Sequence, residues 1–144
     1  MSEPEMACLE DGSVDKGSRV RILVRGEQTA GRLALIELIE SRGGGPPRHL
    51  HHWEDEVIYV LDGEVTFHQG DVRFAASAGS CVLLQRGFEH TWRVDSVEAR
   101  LLVAVAPAGL EASYRDLNWS GTPIEQLVLV AARFGIEITG PPVT

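Results

Sequence analysis

Three residues within eight positions carry the most specific chemistry in this sequence. His49, His51 and Glu56 lie in the stretch G-G-G-P-P-R-H-L-H-H-W-E-D-E-V-I-Y-V-L-D-G, residues 43–63. In an extended segment, residues two apart point to the same face, so both imidazoles can reach one point in space. A carboxylate entering from the next strand-like run adds an anionic oxygen to that point. Neutral imidazole with carboxylate suits a divalent first-row ion: iron, manganese, nickel, copper or zinc. The set needs one more histidine. Of His52, His68 and His90, the last is the candidate, because in G-S-C-V-L-L-Q-R-G-F-E-H-T-W (79–92) it opens a strand after a glycine turn. Strands facing each other across a barrel would then bring His49, His51, Glu56 and His90 around one ion. By the two-residue period, His52 points away from His51 and reads as surface or as a support behind the ligands, and His68 before its turn reads as surface. The adjacent Glu54 and Asp55 read as solvated, with the alternative that one of them bonds a ligating imidazole.

The elements that must position these groups are short strands. Extended, apolar-patterned runs cover Arg19–Val24, Gly31–Glu40, Val57–Leu61, Glu64–His68, Val72–Ala75, Ser80–Leu84, His90–Val94 and Arg100–Ala106. Asp62-Gly63 has the composition of a two-residue hairpin, and Gln69-Gly70-Asp71, Ala78-Gly79-Ser80 and Arg86-Gly87 mark further turns. Eight such runs with no helix among them predict an all-β antiparallel sandwich or small barrel. Alternation places Ile58 and Val60 on the same side as Glu56, and Trp92 and Val94 on the side of His90. Ile58, Val60 and Trp92 are therefore candidate walls of an apolar substrate pocket, as well as ordinary core. Cys81 reads as a small core residue.

Beyond Pro107-Ala108-Gly109 the pattern becomes helical. Glu111–Asn118 suits a short helix. Thr122-Pro123-Ile124-Glu125 has the form of a capping box with proline at the first helical position, and Gly135 stands where that helix would stop. Leu127, Val128, Ala131 and Phe134 would form its apolar stripe. The expected organisation is a polar arm over residues 1–18, a barrel over 19–107, and a helical extension packed on it over 108–144.

At 144 residues with 44% hydrophobic and 24% charged content, the chain has the length and composition of one soluble domain. Its formal charge of −8 and lack of a basic run leave out the electrostatic footprint of a nucleic-acid binder. No stretch approaches the ~20 apolar residues of a membrane span. Cys8 and Cys81 have neither metal nor redox spacing, and no signal-peptide pattern opens the chain, so a cytoplasmic protein with reduced thiols is expected.

The spacing of these residues resembles the cupin superfamily. Its first motif is met in full by Gly43, His49, His51, Glu56 and Gly63. Its second is met by Gly79, Gly87 and His90, with Gln85 and Val94 in place of the usual proline and asparagine. The run P-P-R-H-L-H-H-W-E-D-E-V-I-Y-V-L-D-G-E is also similar to small quercetinase-like cupins. The resemblance implies a double-stranded β-helix, or jelly-roll barrel, with His49, His51, Glu56 and His90 as ligands of one divalent transition metal. It further implies a dioxygenase-like oxidoreductase using dioxygen on a small enolic or aromatic substrate, with Glu56 both ligand and catalytic base. A non-redox isomerase, lyase or decarboxylase is the alternative enzyme class, and a metal or small-molecule binding protein the alternative outside enzymes. A homodimer is expected, with Arg19–Val24 as a strand available for pairing between copies.

Overall fold

The computed structural model describes residues 12–15, 18–116 and 122–143. Among the described residues, eleven strands form two antiparallel sheets. In chain order they are β1 (Gly12–Asp15), β2 (Ser18–Val24), β3 (Ala34–Ser41), β4 (Arg48–His51), β5 (Asp55–Asp62), β6 (Glu64–Gln69), β7 (Val72–Ser77), β8 (Cys81–Leu84), β9 (His90–Val94), β10 (Glu98–Ala106) and β11 (Ile136–Gly140). One sheet has the order β1-β2-β3-β10-β5-β8 and the other β11-β4-β9-β6-β7. Strand β3 pairs with β10, β4 with β9, β5 with β8 and β6 with β7. The chain thus folds as a doubled-over ribbon wound into a barrel, the double-stranded β-helix expected from the sequence.

All eight anticipated strands are present. Three more were not anticipated: β1, β4 and β11. Within the span read as an arm, β1 pairs with β2, so β2 is not an edge strand and its outer side is taken. Residues 1–11 and 16–17 of that span lie outside the described residues. Asp62-Gly63 is not a hairpin. Strands β5 and β6 belong to opposite sheets, so this glycine turns a corner of the barrel with φ +95°, where a Cβ would lie 2.6 Å from the Glu98 carbonyl oxygen. A true hairpin joins β6 to β7 across Gly70.

The interior follows the two-residue period. Ile36, Ile58, Val60, Val65, Phe67, Leu101, Val103 and Val105 are fully buried and interlock from both sheets. Cys81 is exposed, because on β8 it is Val82 and Leu84 that turn inward. The C-terminal region is only partly helical. A 3-10 turn (Leu110–Ala112) runs into α1 (Ser113–Asp116), and Leu117–Asn118 of the expected helix lie outside the described residues. Helix α2 (Ile124–Ala131) starts with Pro123 as its cap and no side-chain capping bond, so the capping box does not form. Gly135 closes it in the left-handed region. Leu127 and Ala131 pack on the barrel while Val128 faces out. Strand β11 then returns to extend the second sheet beside β4. Among the described residues, no helix is long and apolar enough to cross a membrane.

Glu40 occupies the interior at the end of β3, buried, with Oε1 accepting the Trp92 indole N–H at 3.1 Å. Burial raises its pKa above 4.5, only partly countered by that hydrogen bond. A folded-state pKa above the unfolded one means that the native chain holds the extra proton, so stability falls as pH rises from about 4.5. Glu40→Gln keeps an acceptor for Trp92. The variant should gain stability over wild type with rising pH, at up to about 1.4 kcal/mol per pH unit until the folded-state pKa is passed. Urea denaturation at several pH values checks this; parallel curves for the two proteins would refute it.

The glycine run before β4 fits a tight space. Gly43 donates to the Val94 carbonyl and Val94 to the Gly44 carbonyl, both at 2.9 Å, which lays the loop along β9. At Gly45 (φ +149°) a Cβ would stand 1.9 Å from the Trp92 carbonyl oxygen, whereas at Gly43 (φ +82°) it would meet open space. Gly45→Ala should therefore cost about 2–4 kcal/mol and Gly43→Ala about 1–2 kcal/mol, read from urea midpoints.

Candidate metal centre

His49, His51, Glu56 and His90 converge inside the barrel, all at most 4% exposed, with one donor atom from each lying within 4.8 Å of the others. Strand pairing produces this meeting. His49 and His51 lie on the inward face of β4, and His90 opens β9 directly opposite His49. Glu56 arrives from the facing sheet near the start of β5. His49 Nε2 is 3.1 Å from His51 Nε2, and Glu56 Oε1 is 3.8 Å from His90 Nε2 and in close contact with His51 Nε2.

Two of the three imidazoles are oriented from behind. His49 Nδ1 faces the Pro47 carbonyl at 2.7 Å and His90 Nδ1 the Phe88 carbonyl at 3.2 Å. Carbonyls only accept, so these Nδ1 atoms carry the hydrogens and the Nε2 lone pairs point to the common centre. His51 Nδ1 lies 3.8 Å from Glu54 Oε2, too long for a hydrogen bond, so that carboxylate acts on the ring through its charge. His90 Nε2 is buried without a hydrogen-bond partner, an orphan that an ion would satisfy.

The charges agree with that fit. Burial, reinforced by His90 and His51, takes the pKa of His49 well below its ordinary value. Burial also lowers His90, though Glu56 partly offsets this. For His51 burial is outweighed by the charge and hydrogen bond of Glu56 and by Glu54, so its pKa rises. Burial would raise Glu56, but His51, His90 and His49 bring it down to about 2. The centre thus offers two imidazoles biased to the neutral form, His49 and His90, and an ionised carboxylate, while His51 would give up its proton to a bound ion.

Residues 36–105 match the family described as Cupin domain. The chain belongs to the cupin superfamily. It is 24% identical over 121 residues to quercetin 2,3-dioxygenase of Bacillus subtilis; this covers 81% of the chain but only 35% of that protein's length, so the chain spans about a third of its curated relative. Among solved structures it is similar to an RmlC-like cupin from Shewanella frigidimarina (TM-score 0.62, 16% identity, 78% of this chain and 96% of that one). It is also similar to the polyketide cyclase RemF from Streptomyces resistomycificus (TM-score 0.58, 25% identity, 74% and 80%).

The departures from the cupin motif have local substitutes. Where proline is usual, Gln85 begins a turn held by Asp55, whose carboxylate accepts from the Arg86 backbone at 2.9 Å and from its guanidinium at 3.1 Å. Gly87 then donates to the His51 carbonyl at 2.7 Å, tying the turn to the strand that carries two of the histidines. Val94, where asparagine is usual, is buried and lies along the glycine loop.

Other residues singled out from the sequence fall as follows. Ile58, Val60 and Trp92 are packed in the core below the four donors, and the Trp92 indole lies parallel to the His90 ring with centroids 6.5 Å apart. A cavity of about 270 Å³ lies elsewhere, between Arg25–Glu27 and the Ala108–Ala112 segment. His52 is exposed and bonds Glu137 at 2.9 Å, and Asp55 pairs with Arg86. Glu54 is the correction: it is 2% exposed rather than solvated. The turn out of β4 folds it back behind His51, under Gly109, whose Cβ would lie 3.8 Å from Glu54 Oε1. Tyr114 was not anticipated. Burial and the carboxylates of Glu56 and Glu40 raise its pKa well above 10, which places its phenol on the interior side of the C-terminal segment.

Glu54→Gln removes the charge behind His51 while keeping its shape. Metal affinity should fall about 10–100-fold, measured by competition with a chromophoric chelator; unchanged affinity would show that Glu54 does not act through His51.

Proposed function

We propose that this cupin is a metal-dependent enzyme of dioxygenase type acting on a small enolic or aromatic molecule. The observation that carries the reading is the convergence of four buried donors, two of the histidines having their far nitrogens turned toward fixed carbonyl acceptors. Its similarity to quercetin 2,3-dioxygenase supports the reaction class. A divalent first-row ion held by His49, His51, Glu56 and His90 would supply open positions and redox or Lewis-acid chemistry there.

The chain's own residues have distinct tasks. His49 and His90, anchored at Nδ1 by the Pro47 and Phe88 carbonyls, keep their Nε2 atoms fixed in place, and His51 is held at Nε2 by Glu56. Ile58 and Trp92 form an apolar floor that keeps water from beneath the reacting centre. Glu56 accepts the proton of a substrate enol or phenol. Because its pKa is held near 2 it stays anionic, and the transfer requires a substrate hydroxyl that is itself acidified on binding. The likeness to a polyketide cyclase favours a second reading, non-redox chemistry on an oxygenated substrate at the same site.

Protein purified without chelator should contain about one equivalent of iron, manganese, nickel or copper by elemental analysis. The His49→Ala/His51→Ala variant should lose it. Quercetin and related flavonols, supplied aerobically, should then give dioxygen uptake that Glu56→Gln reduces at least 100-fold. Zinc as the sole metal, with substrate turnover in anaerobic solution, would move the assignment to the non-redox reading. No metal after reconstitution would overturn both.

A further inference from the structure

The inward positions of β3 are Ala34, Ile36, Leu38 and Glu40: three apolar side chains and then a carboxyl that is only 9% exposed. A polar group in such a place costs stability unless it is paired. Among the described residues the Glu40 carboxyl receives one hydrogen bond, from the Trp92 indole N–H to Oε1, and its Oε2 has no such partner. Tyr114 is a second group of this kind. It packs against the core from the segment after β10, within electrostatic reach of both Glu56 and Glu40, and its phenol meets no hydrogen-bond partner among the described residues. We propose that Glu40 and Tyr114 bind a second hydroxyl of the substrate, remote from the four metal donors, and so select polyhydroxylated aromatic molecules.

Trp92 sets the direction in which such a substrate lies. Its ring is parallel to that of His90, at an interplanar angle of 3° and a centroid distance of 6.5 Å. Its indole nitrogen stands 3.1 Å from Glu40. The indole therefore spans from the metal donors to the carboxyl, and a flat molecule lying along it reaches from one to the other. A single ring does not cover that span; two linked or fused rings do. On the reading of the centre as a site for enolic or aromatic molecules, the enol sits at the four donors and the remote hydroxyl at Glu40. A hydroxyl both donates and accepts. It would donate to Glu40 Oε2 and accept from the Tyr114 phenol, which keeps its hydrogen because burial and the carboxylates of Glu56 and Glu40 raise its pKa well above 10. Stability gives no other account of Glu40. Burial raises its pKa, so its ionisation opposes folding as pH rises, and glutamine would serve Trp92 as well. A residue that works against its own fold, where a neutral analogue would not, marks a functional position.

Quercetin and 3-hydroxyflavone carry the same enol and differ in their remote hydroxyls, so the pair separates the two ends of the site. Each is titrated without oxygen into the metal-loaded protein, and binding is followed by quenching of tryptophan fluorescence. Wild type should bind quercetin about 10-fold more tightly than 3-hydroxyflavone. In Glu40→Gln and in Tyr114→Phe that preference should shrink to about 3-fold or less, with metal content and the affinity for 3-hydroxyflavone unchanged. Glutamine keeps an oxygen for Trp92 but turns an NH2 group, which cannot accept, toward the substrate hydroxyl. A carboxyl serving only as the acceptor of Trp92 therefore predicts no change in this variant. A preference undiminished in either variant would overturn the pairing of Glu40 with Tyr114 and leave the reading of the metal centre intact. Failure of both flavonols to bind metal-loaded wild type would overturn the substrate class itself, and this selection with it.

Discussion

The structure turns on one buried carboxylate. Glu56 is 1% exposed, surrounded by the apolar interior of a barrel, and still ionised. An isolated carboxylate in such a place would neutralise or be expelled. It remains charged because three imidazoles from the opposite sheet crowd its oxygen, and this requires both sheets to hold their registers. A slip of one residue in β4 would send His49 and His51 to solvent and leave Glu56 facing Leu50. The centre and the barrel are therefore mutually dependent: β4 and β9 meet at the His49–His90 pair, and much of what fixes their relative position is the glycine loop clasped along β9.

That dependence explains which parts of the site could be read from the sequence and which could not. The four donors were accessible because their geometry is set by the period of a strand and by glycine corners, both written locally. Glu54 was misjudged because its burial depends on Gly109 and the segment after it, more than fifty positions away in the chain. Tyr114 was missed for a related reason: a short segment after the last barrel strand gives no periodic signal that it doubles back over the interior.

The same division runs through the fold. Strands with an alternating pattern and their own turn residues were visible, and so was the stop of α2 at Gly135. Strand β11 was hidden behind a helix, although Ile136 and Ile138 alternate with polar neighbours, because five residues contribute little pattern and the partner, β4, is remote. Asp62-Gly63 shows the opposite error. Its dipeptide chemistry fits a hairpin, yet in a doubled-over ribbon successive strands cross between sheets, and a positive-φ glycine serves a corner as well as a reversal. The Thr122–Glu125 box failed because the chain enters α2 through Pro123 in an extended conformation and becomes helical only at Ile124.

Strand β5 shows how one pattern serves two ends. Its even positions, Glu56, Ile58 and Val60, point inward and supply a donor and the packing beneath it. Its odd positions, Val57 and Tyr59, point outward. The strand is flanked on both sides, by β10 and β8, over most of its length, so a displacement on either face is transmitted as a rigid shift rather than absorbed by a loop. Positioning a donor on a doubly paired interior strand gives tighter geometry than a loop could, and the histidines on β4 and β9 gain the same advantage. The substitutions that differ from the family motif, Gln85 and Val94, fall instead in the connecting turn and at the far end of β9. There Asp55, Arg86 and Gly87 rebuild by hydrogen bonds the turn that a proline would have imposed.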